Sequence, residues 1–331
     1  MFAALAPSSP LRSQLSLLPD EQIVEMRMRN GLNLPTALKL ERFATQNRIQ
    51  IVHAHLARDY PMAALVARRS SARLILTRHV LFPMSKVHKL ALRRTDRVIA
   101  VSQAVAERLR SQRIFSANRI TVIHNGIDVD RFAAATKAVR ARGDGAGQEQ
   151  WVGMVGHLAP IKGQEDLIRA AAIVCKEKTN VEFVLVGEDK SRDGEHRRRL
   201  LKQISDLGLD QSIRLIGWVD DVAGIISDFD LFVSPSRSEP FGLSIVEAMA
   251  AGVPVLATAS EGAREIINDR VTGCLVPIGD AKALADAILR LLSDGALREA
   301  LCAAAQRKVR EQFSLERMLD ATEQVYGEVI G

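Results

Sequence analysis

The chain has 331 residues, 47% hydrophobic, 25% charged and 4% aromatic, with a formal net charge of +6. That balance fits a globular protein of about two domains and excludes disordered, collagen-like and disulfide-stapled classes. No apolar run approaches the roughly 18 residues needed to span a bilayer, no repeat of fixed period is found, and Cys175, Cys274 and Cys302 are odd in number and far apart, which argues against zinc or a disulfide framework.

Residues 1–7 are apolar but lack the basic flank and length of a signal peptide, so a cytoplasmic protein is expected. A strand at 2–6 is followed by a second weak one at 22–26, with no Gly-rich turn entering a helix between them. Short apolar or β-branched runs at 51–53, 74–77, 98–102 and 120–123 then alternate with helical patterns near 36–48, 61–70, 84–95 and 102–112. Residues 133–150 include the Gly-rich run 142–147 and read as a linker. Beyond it the alternation resumes, with strands at 151–156, 181–187, 213–217, 230–234 and 254–258 and a helical tail from about 280 to 329. Nearly continuous apolar strands alternating with helices predict parallel sheets covered on both faces. The expected division is a domain at 1–140, a linker at 141–150, a second domain at 151–314, and a helix at 315–331 packing back toward the first domain. Two such domains are expected to take ligand in the cleft between them, at the carboxyl ends of the strands.

Charge divides unevenly. Residues 1–150 hold 24 Lys and Arg against 11 Asp and Glu, and residues 151–331 hold 21 against 28. The first half is therefore expected to face something anionic. Lys86, Lys89, Arg93 and Arg97 fall at helical spacing; they read equally as a solvated face and as a patch docking on anionic lipid headgroups.

The richest segment is 234–252. A strand ends, Pro235-Ser236-Arg237-Ser238-Glu239-Pro240-Phe241-Gly242 turns, and Leu243 opens a helix that carries Glu247. Backbone N–H groups at such a helix start suit an anion such as phosphate. Glu239 and Glu247 could accept hydrogen bonds from different hydroxyls of one ligand; the plainer alternative is that Glu239 caps the helix and Glu247 is solvent-exposed. The turn Gly156-His157-Leu158-Ala159-Pro160-Ile161-Lys162-Gly163 sets an imidazole and a cation after another strand, where a diphosphate would need charge neutralisation. His53 and His55 lie two apart on one strand and face one way; with no third ligand identifiable, cleft lining or packing is favoured over a metal pair. Asp228-Phe229-Asp230 reads as structural.

In this order the motifs Gly156-His157-Leu158 with Lys162-Gly163, Val186-Gly187-Glu188, Gly217-Trp218, Glu239-Pro240-Phe241-Gly242-Leu243 with Glu247-Ala248, Gly252-Val253-Pro254-Val255 and Thr272-Gly273 resemble the nucleotide-sugar-binding domain of the retaining glycosyltransferases of family 4. Residues 50–132 resemble the partner domain more loosely, through Val52-His53-Ala54-His55, Thr77-Arg78-His79, Val98-Ile99-Ala100-Val101-Ser102 and Asn125-Gly126-Ile127-Asp128. The resemblance implies an α/β chain of two Rossmann-like domains facing a cleft, the GT-B fold. It implies transfer of a sugar from a nucleoside-diphosphate sugar to a carbohydrate or glycolipid acceptor with retention, in cell-envelope glycolipid or polysaccharide synthesis. Lys162, Glu239 and His79 are the implied catalytic residues. Gly156, His157, Trp218, Val219, Phe241, Gly242, Leu243 and Glu247 are the implied donor-binding residues, with Glu247 on the ribose. No cofactor, no obligatory metal and no nucleic-acid partner are expected, and the location is cytoplasmic or peripheral on the inner face of the plasma membrane.

Two departures from the family pattern stand out. His157 replaces the usual Arg, which leaves a weaker, pH-dependent charge. The chain also opens at what resembles the family's second strand, so the first domain is expected to be incomplete by one βα unit. A nucleotide-sugar epimerase on the same fold and a truncated nucleotide-sugar-binding protein are the alternatives.

Overall fold

The computed structural model describes residues 1–7, 9, 11–15, 18–26, 33–85, 88–139 and 149–331. Two compact units emerge: Met1–Ile123 with Ala321–Gly331, and His124–Asp320. The division thus comes at Ile123, ahead of the expected linker, whose residues 141–148 lie outside the described residues.

In the first unit, β1 (Ala3–Leu5) and β2 (Ile23–Glu25) pair in parallel, with the short helix α1 (Leu11–Gln14) between them. Both strands stand where alternation places them, but they pair with each other and join no larger sheet. The main sheet is parallel, in the sequential order β3 (Ile51–Ala54), β4 (Arg73–Arg78), β5 (Arg97–Ala100), β6 (Ile120–Val122). Its helices are α2 (Leu34–Gln46), α3 (Tyr60–Ser70), α4 (His88–Ala91) and α5 (Gln103–Gln112). Side-chain caps start two of them: Asn33 accepts from Thr36 N–H on α2, and Ser102 from Val105 N–H on α5. Ala37 and Ala44 of α2 pack on Met62 and Val66 of α3, small residues against larger ones.

The basic stretch requires a correction. Lys86 lies outside the described residues, α4 is only four residues long, and Arg97 opens β5, where it faces Glu328 at 3.5 Å. Arg93 therefore follows the end of α4, and Arg97 stands on a strand rather than on a helical face. Asp96 takes the backbone N–H of Leu74 and draws the chain into the sheet at this point.

The second unit opens with α6 (Val129–Val139), followed by β7 (Gln150–Val155), α7 (Gln164–Glu177), β8 (Val181–Val186), α8 (Glu195–Asp206), β9 (Ile213–Gly217), α9 (Val222–Ser227) and β10 (Leu231–Ser234). Then come α10 (Leu243–Ala250), β11 (Val255–Thr258), α11 (Glu261–Ile266), β12 (Cys274–Val276), α12 (Ala281–Ser293) and α13 (Gly295–Gln312). The helix α14 (Leu315–Ile330) begins in this unit, and its last residues belong to the first. The expected helical tail is thus three helices, started by Asp280 and Asp294 as side-chain caps of α12 and α13. All six strands are parallel, in the order β12-β11-β10-β7-β8-β9. Buried Val152, Phe183, Leu231 and Val233 of the sheet meet Leu167 and Ile168 of α7 and Ile288 of α12 in one apolar core. Asp230 precedes β10 and its carboxylate takes the Trp151 N–H at 2.8 Å, a structural use of that acid. Both units are Rossmann-like parallel α/β assemblies, as the strand-helix alternation predicts. Among the described residues, no helix is long and apolar enough to cross a membrane.

Candidate functional site

In a doubly wound sheet, chain progression reverses direction at one place, and the loops there part to leave a crevice at the strands' carboxyl ends. Here the reversal falls between β7 and β10, because β8 and β9 continue on one side of β7 while β10, β11 and β12 run outward on the other. The loops that follow β7 and β10 are the two that carry Lys162 and Glu239.

These loops are locked together. The Arg237 N–H donates to the Ile161 carbonyl at 2.8 Å, and the Arg237 guanidinium pairs with buried Asp166 of α7 at 2.9 Å. Gly163, at φ +73°, turns the chain against Pro235, and a Cβ there would fall on the Pro235 carbonyl oxygen. Across this junction Lys162 Nζ donates to Glu239 Oε2 at 2.6 Å. Glu239 is 8% exposed. Its backbone is held from both sides, its N–H by Glu261 Oε2 at 3.3 Å and its carbonyl by Gly262 N–H at 2.9 Å.

Glu239 does not cap α10. The N-cap is Gly242, at φ 114°, with no side-chain hydrogen bond, so the N–H groups of Gly242, Leu243 and Ser244 have no acceptor among the described residues. An eight-residue helix with an open amino end presents donors and a positive dipole to an anion. Phe241 contributes only backbone here: its ring is buried, stacked 5.7 Å from His124. Leu243 is 43% exposed. Glu247, one turn further, is half-buried. Burial raises its pKa, and the Arg131 charge from α6 opposes that rise.

On the other side of β7, the Leu158 N–H donates to the Glu188 carbonyl at 2.8 Å, and Leu158 bridges to Asp189. Gly187, at φ +141°, lets the β8 turn close on Gly156. Lys190 thereby comes near His157, a cation that the sequence motifs do not single out. Burial, then the charges of Lys162 and Lys190, lower the His157 pKa, and Glu239 partly opposes them. Its positive form is thus disfavoured where Lys162 and Lys190 already bring charge. The available clue is Asp189-Lys190 directly after the Val186-Gly187-Glu188 strand end. Further along the sheet, after edge strand β9, Trp218 is 64% exposed and its indole N–H is held by Asp220 at 3.0 Å, while Val219 is half-buried. Ordinary core packing therefore does not account for Trp218.

In the first unit, three imidazoles gather at the carboxyl ends of β3 and β4. His53 and His55 lie 4.2 Å apart, and His55 and His79 5.9 Å. Both His53 nitrogens are occupied, by the Tyr326 hydroxyl at 2.6 Å and the Thr77 hydroxyl at 2.7 Å. Burial and then the two neighbouring histidines lower the His53 pKa to about 3. Burial, His55 and Arg78 lower that of His79 to about 4. A histidine with a lowered folded pKa contributes stability at neutral pH that is lost as pH falls from its unfolded value toward the folded one. Melting temperature is therefore expected to fall between about pH 6.5 and 4, and less steeply in His53→Gln, which keeps polar reach without a titrating ring. Parallel slopes in a thermal melt series would mean that His53 does not carry this pH dependence.

The same divided chain is seen in known proteins. Residues 137–308, just over half of the chain, match the glycosyl transferases group 1 family, and residues 5–131 match glycosyltransferase family 4. The lipopolysaccharide core biosynthesis glycosyltransferase LpsE of Rhizobium meliloti is 34% identical over 229 residues, 69% of this chain and 63% of that protein. This chain thus spans less than two thirds of that relative's length. The D-inositol 3-phosphate glycosyltransferase of Salinispora tropica is 30% identical over 322 residues, 88% of this chain and 67% of that one. The crystal structure of Anabaena HepE in complex with UDP and glucose superposes with a TM-score of 0.85 at 24% identity, over 98% of this chain and 91% of that one, which bears on the fold. With the family match covering the crevice between β7 and β10 and the helix that carries Glu247, the chain belongs to the glycosyl transferases of group 1.

Proposed function

We propose that this protein transfers a sugar from a nucleoside-diphosphate sugar to an acceptor hydroxyl with retention, in the synthesis of a cell-envelope glycolipid or polysaccharide. The observation that carries the reading is the Lys162–Glu239 pair set beside the open amino end of α10 at the sheet's switch point. Relatives named for lipopolysaccharide core and capsular polysaccharide synthesis support the setting.

The chemistry follows from charge. As the bond to the sugar breaks, negative charge grows on the departing diphosphate. Lys162 and the N–H groups of Gly242, Leu243 and Ser244 are already oriented to receive it, so little reorganisation is needed. The donor competes with Glu239 for Lys162 and frees that carboxylate to accept hydrogen bonds from the sugar. Lys190, whose charge acts on His157, adds fixed positive charge beside it. Glu247 accepts from the ribose hydroxyls, and Gly156, Trp218 and Val219 complete the donor-binding set. His79 takes part in the same reaction as a neutral hydrogen-bonding imidazole. No metal is required, because cations and backbone donors neutralise the diphosphate. The protein works at the cytoplasmic side of the envelope, where its acceptor, a carbohydrate or glycolipid, is made.

Thermal shifts with UDP, GDP and ADP, with and without EDTA, test the donor half. One nucleotide is expected to raise the melting temperature, indifferently to EDTA, and Glu247→Ala is expected to weaken that nucleotide about tenfold or more through loss of hydrogen bonds to a charged acceptor. A well-folded chain that responds to none of them would refute the reading. The anomeric configuration of the product, read by NMR, decides retention.

A further inference from the structure

One concavity among the described residues lies away from the carboxyl ends of the strands. It is an open groove of about 790 Å³ on the first unit, lined by Arg68 of α3, Arg73 at the start of β4, Arg93 and Arg94 after α4, and Arg119 just before β6. Arg73 and Arg119 stand at the amino ends of their strands, whereas His79 follows the carboxyl end of β4. Six residues of β4 at about 3.3 Å each put roughly 17 Å between these ends.

Asp96 is the one carboxylate among the lining residues, and it is already committed, to Arg73 at 3.3 Å and to the Leu74 N–H at 2.8 Å. Arg119 donates to the carbonyls of Arg93 and Thr95, which pins the 93–95 turn beside the sheet and keeps its own guanidinium in the wall. Arg68, Arg93 and Arg94 have no carboxylate partner among the described residues. Five guanidinium groups against one carboxylate leave a concave surface strongly positive. A low-dielectric wall focuses that field, and planar guanidinium forks match phosphate oxygens in pairs. The volume lies within the roughly 300–1,000 Å³ of small-molecule sites, larger than a bare ion needs. Leu90, 75% exposed, adds an apolar wall.

We propose that this groove is a second anion site, which holds a phosphate group together with the organic group it esterifies. It explains the excess positive charge of the first half by a place rather than by a helical face. It stands independently of the donor reading, because it shares no residue with the crevice between β7 and β10.

The test uses the full chain as wild type, Arg93→Ser/Arg94→Ser, Arg68→Ser and Lys162→Ala. Inorganic pyrophosphate is titrated calorimetrically, and sedimentation is followed with vesicles of phosphatidylcholine alone or mixed with phosphatidylglycerol. Binding in at least one arm is expected to weaken at least about tenfold when two arginines are lost, to weaken less in Arg68→Ser, and to persist in Lys162→Ala. The last variant separates the groove from any pyrophosphate uptake by the crevice. Uptake of pyrophosphate identifies a soluble phosphate ligand; binding confined to phosphatidylglycerol vesicles identifies a lipid headgroup. If neither probe binds, or if the folded double variant binds both as the wild type does, the site is refuted. Should the double variant fail to fold, Arg68→Ser, on a separate helix, decides between the same two outcomes.

Discussion

Lys162→Ala is expected to keep its fold and to lose about 10²- to 10³-fold in kcat, the usual consequence of removing one preorganised group that meets developing negative charge. Lys162 is the cation that the β7 loop places at the switch point, and its ammonium is fixed by Glu239 at 2.6 Å before any ligand arrives. The variant leaves Glu239 in place at 8% exposure with the Ser236 hydroxyl at 3.4 Å as its remaining side-chain partner. An underpaired carboxylate costs about 1–3 kcal/mol, or roughly 2–10 °C in melting temperature. Activity should therefore fall far more than stability. Since the two side chains are bonded, Lys162→Ala/Glu239→Ala should lose less than the sum of the single losses. Steady-state kinetics on the three variants checks this. A Lys162→Ala enzyme within a few-fold of wild type would remove Lys162 from catalysis, and strict additivity would mean that the pair is not a working unit.

How much of this was legible in the sequence depends on the range of the interaction. The strands of the second unit could be read because a sheet covered on both faces needs unbroken apolar runs, as in β8 and β10, whose every residue is buried. The open amino end of α10 was readable for a local reason, a Pro and Gly turn running into a helix. What periodicity could not show is where the chain leaves a helix for a strand. Lys86 to Arg97 has helical spacing, yet Asp96 ties the chain to Leu74 and Arg97 begins β5. Nor could spacing show partners brought together by strand order. Glu239 and Lys162 are 77 residues apart, and Lys190 reaches His157 because β7 and β8 are neighbours in the sheet. The groove arginines come from a helix, a turn and the starts of two strands, so the charge excess of the first half was countable while its location was not.

Gly163→Ala is the second large effect, and it acts through backbone rather than charge. Gly163 holds φ +73°, a conformation that costs a residue with a Cβ about 1–2 kcal/mol. The added Cβ would also meet the carbonyl oxygen, the carbonyl carbon and the ring of Pro235. Neither side can yield easily: the β10 loop is tied by Arg237 to Ile161 and Asp166, and by Thr258, whose hydroxyl donates to the Ser236 carbonyl at 2.5 Å. Overpacking a closed junction of this kind costs about 1–3 kcal/mol more. The sum, about 2–5 kcal/mol, should appear as a clear drop in melting temperature. The loops that bear Lys162 and Glu239 would separate as the clash is relieved, so nucleotide stabilisation should weaken along with kcat. An alanine variant that melts and binds nucleotide like the wild type would mean that the two loops are not held in register by this contact. Arg237→Ala then offers the complementary measurement: it loosens the same junction without forcing it apart, and it should weaken nucleotide binding by less than Gly163→Ala does.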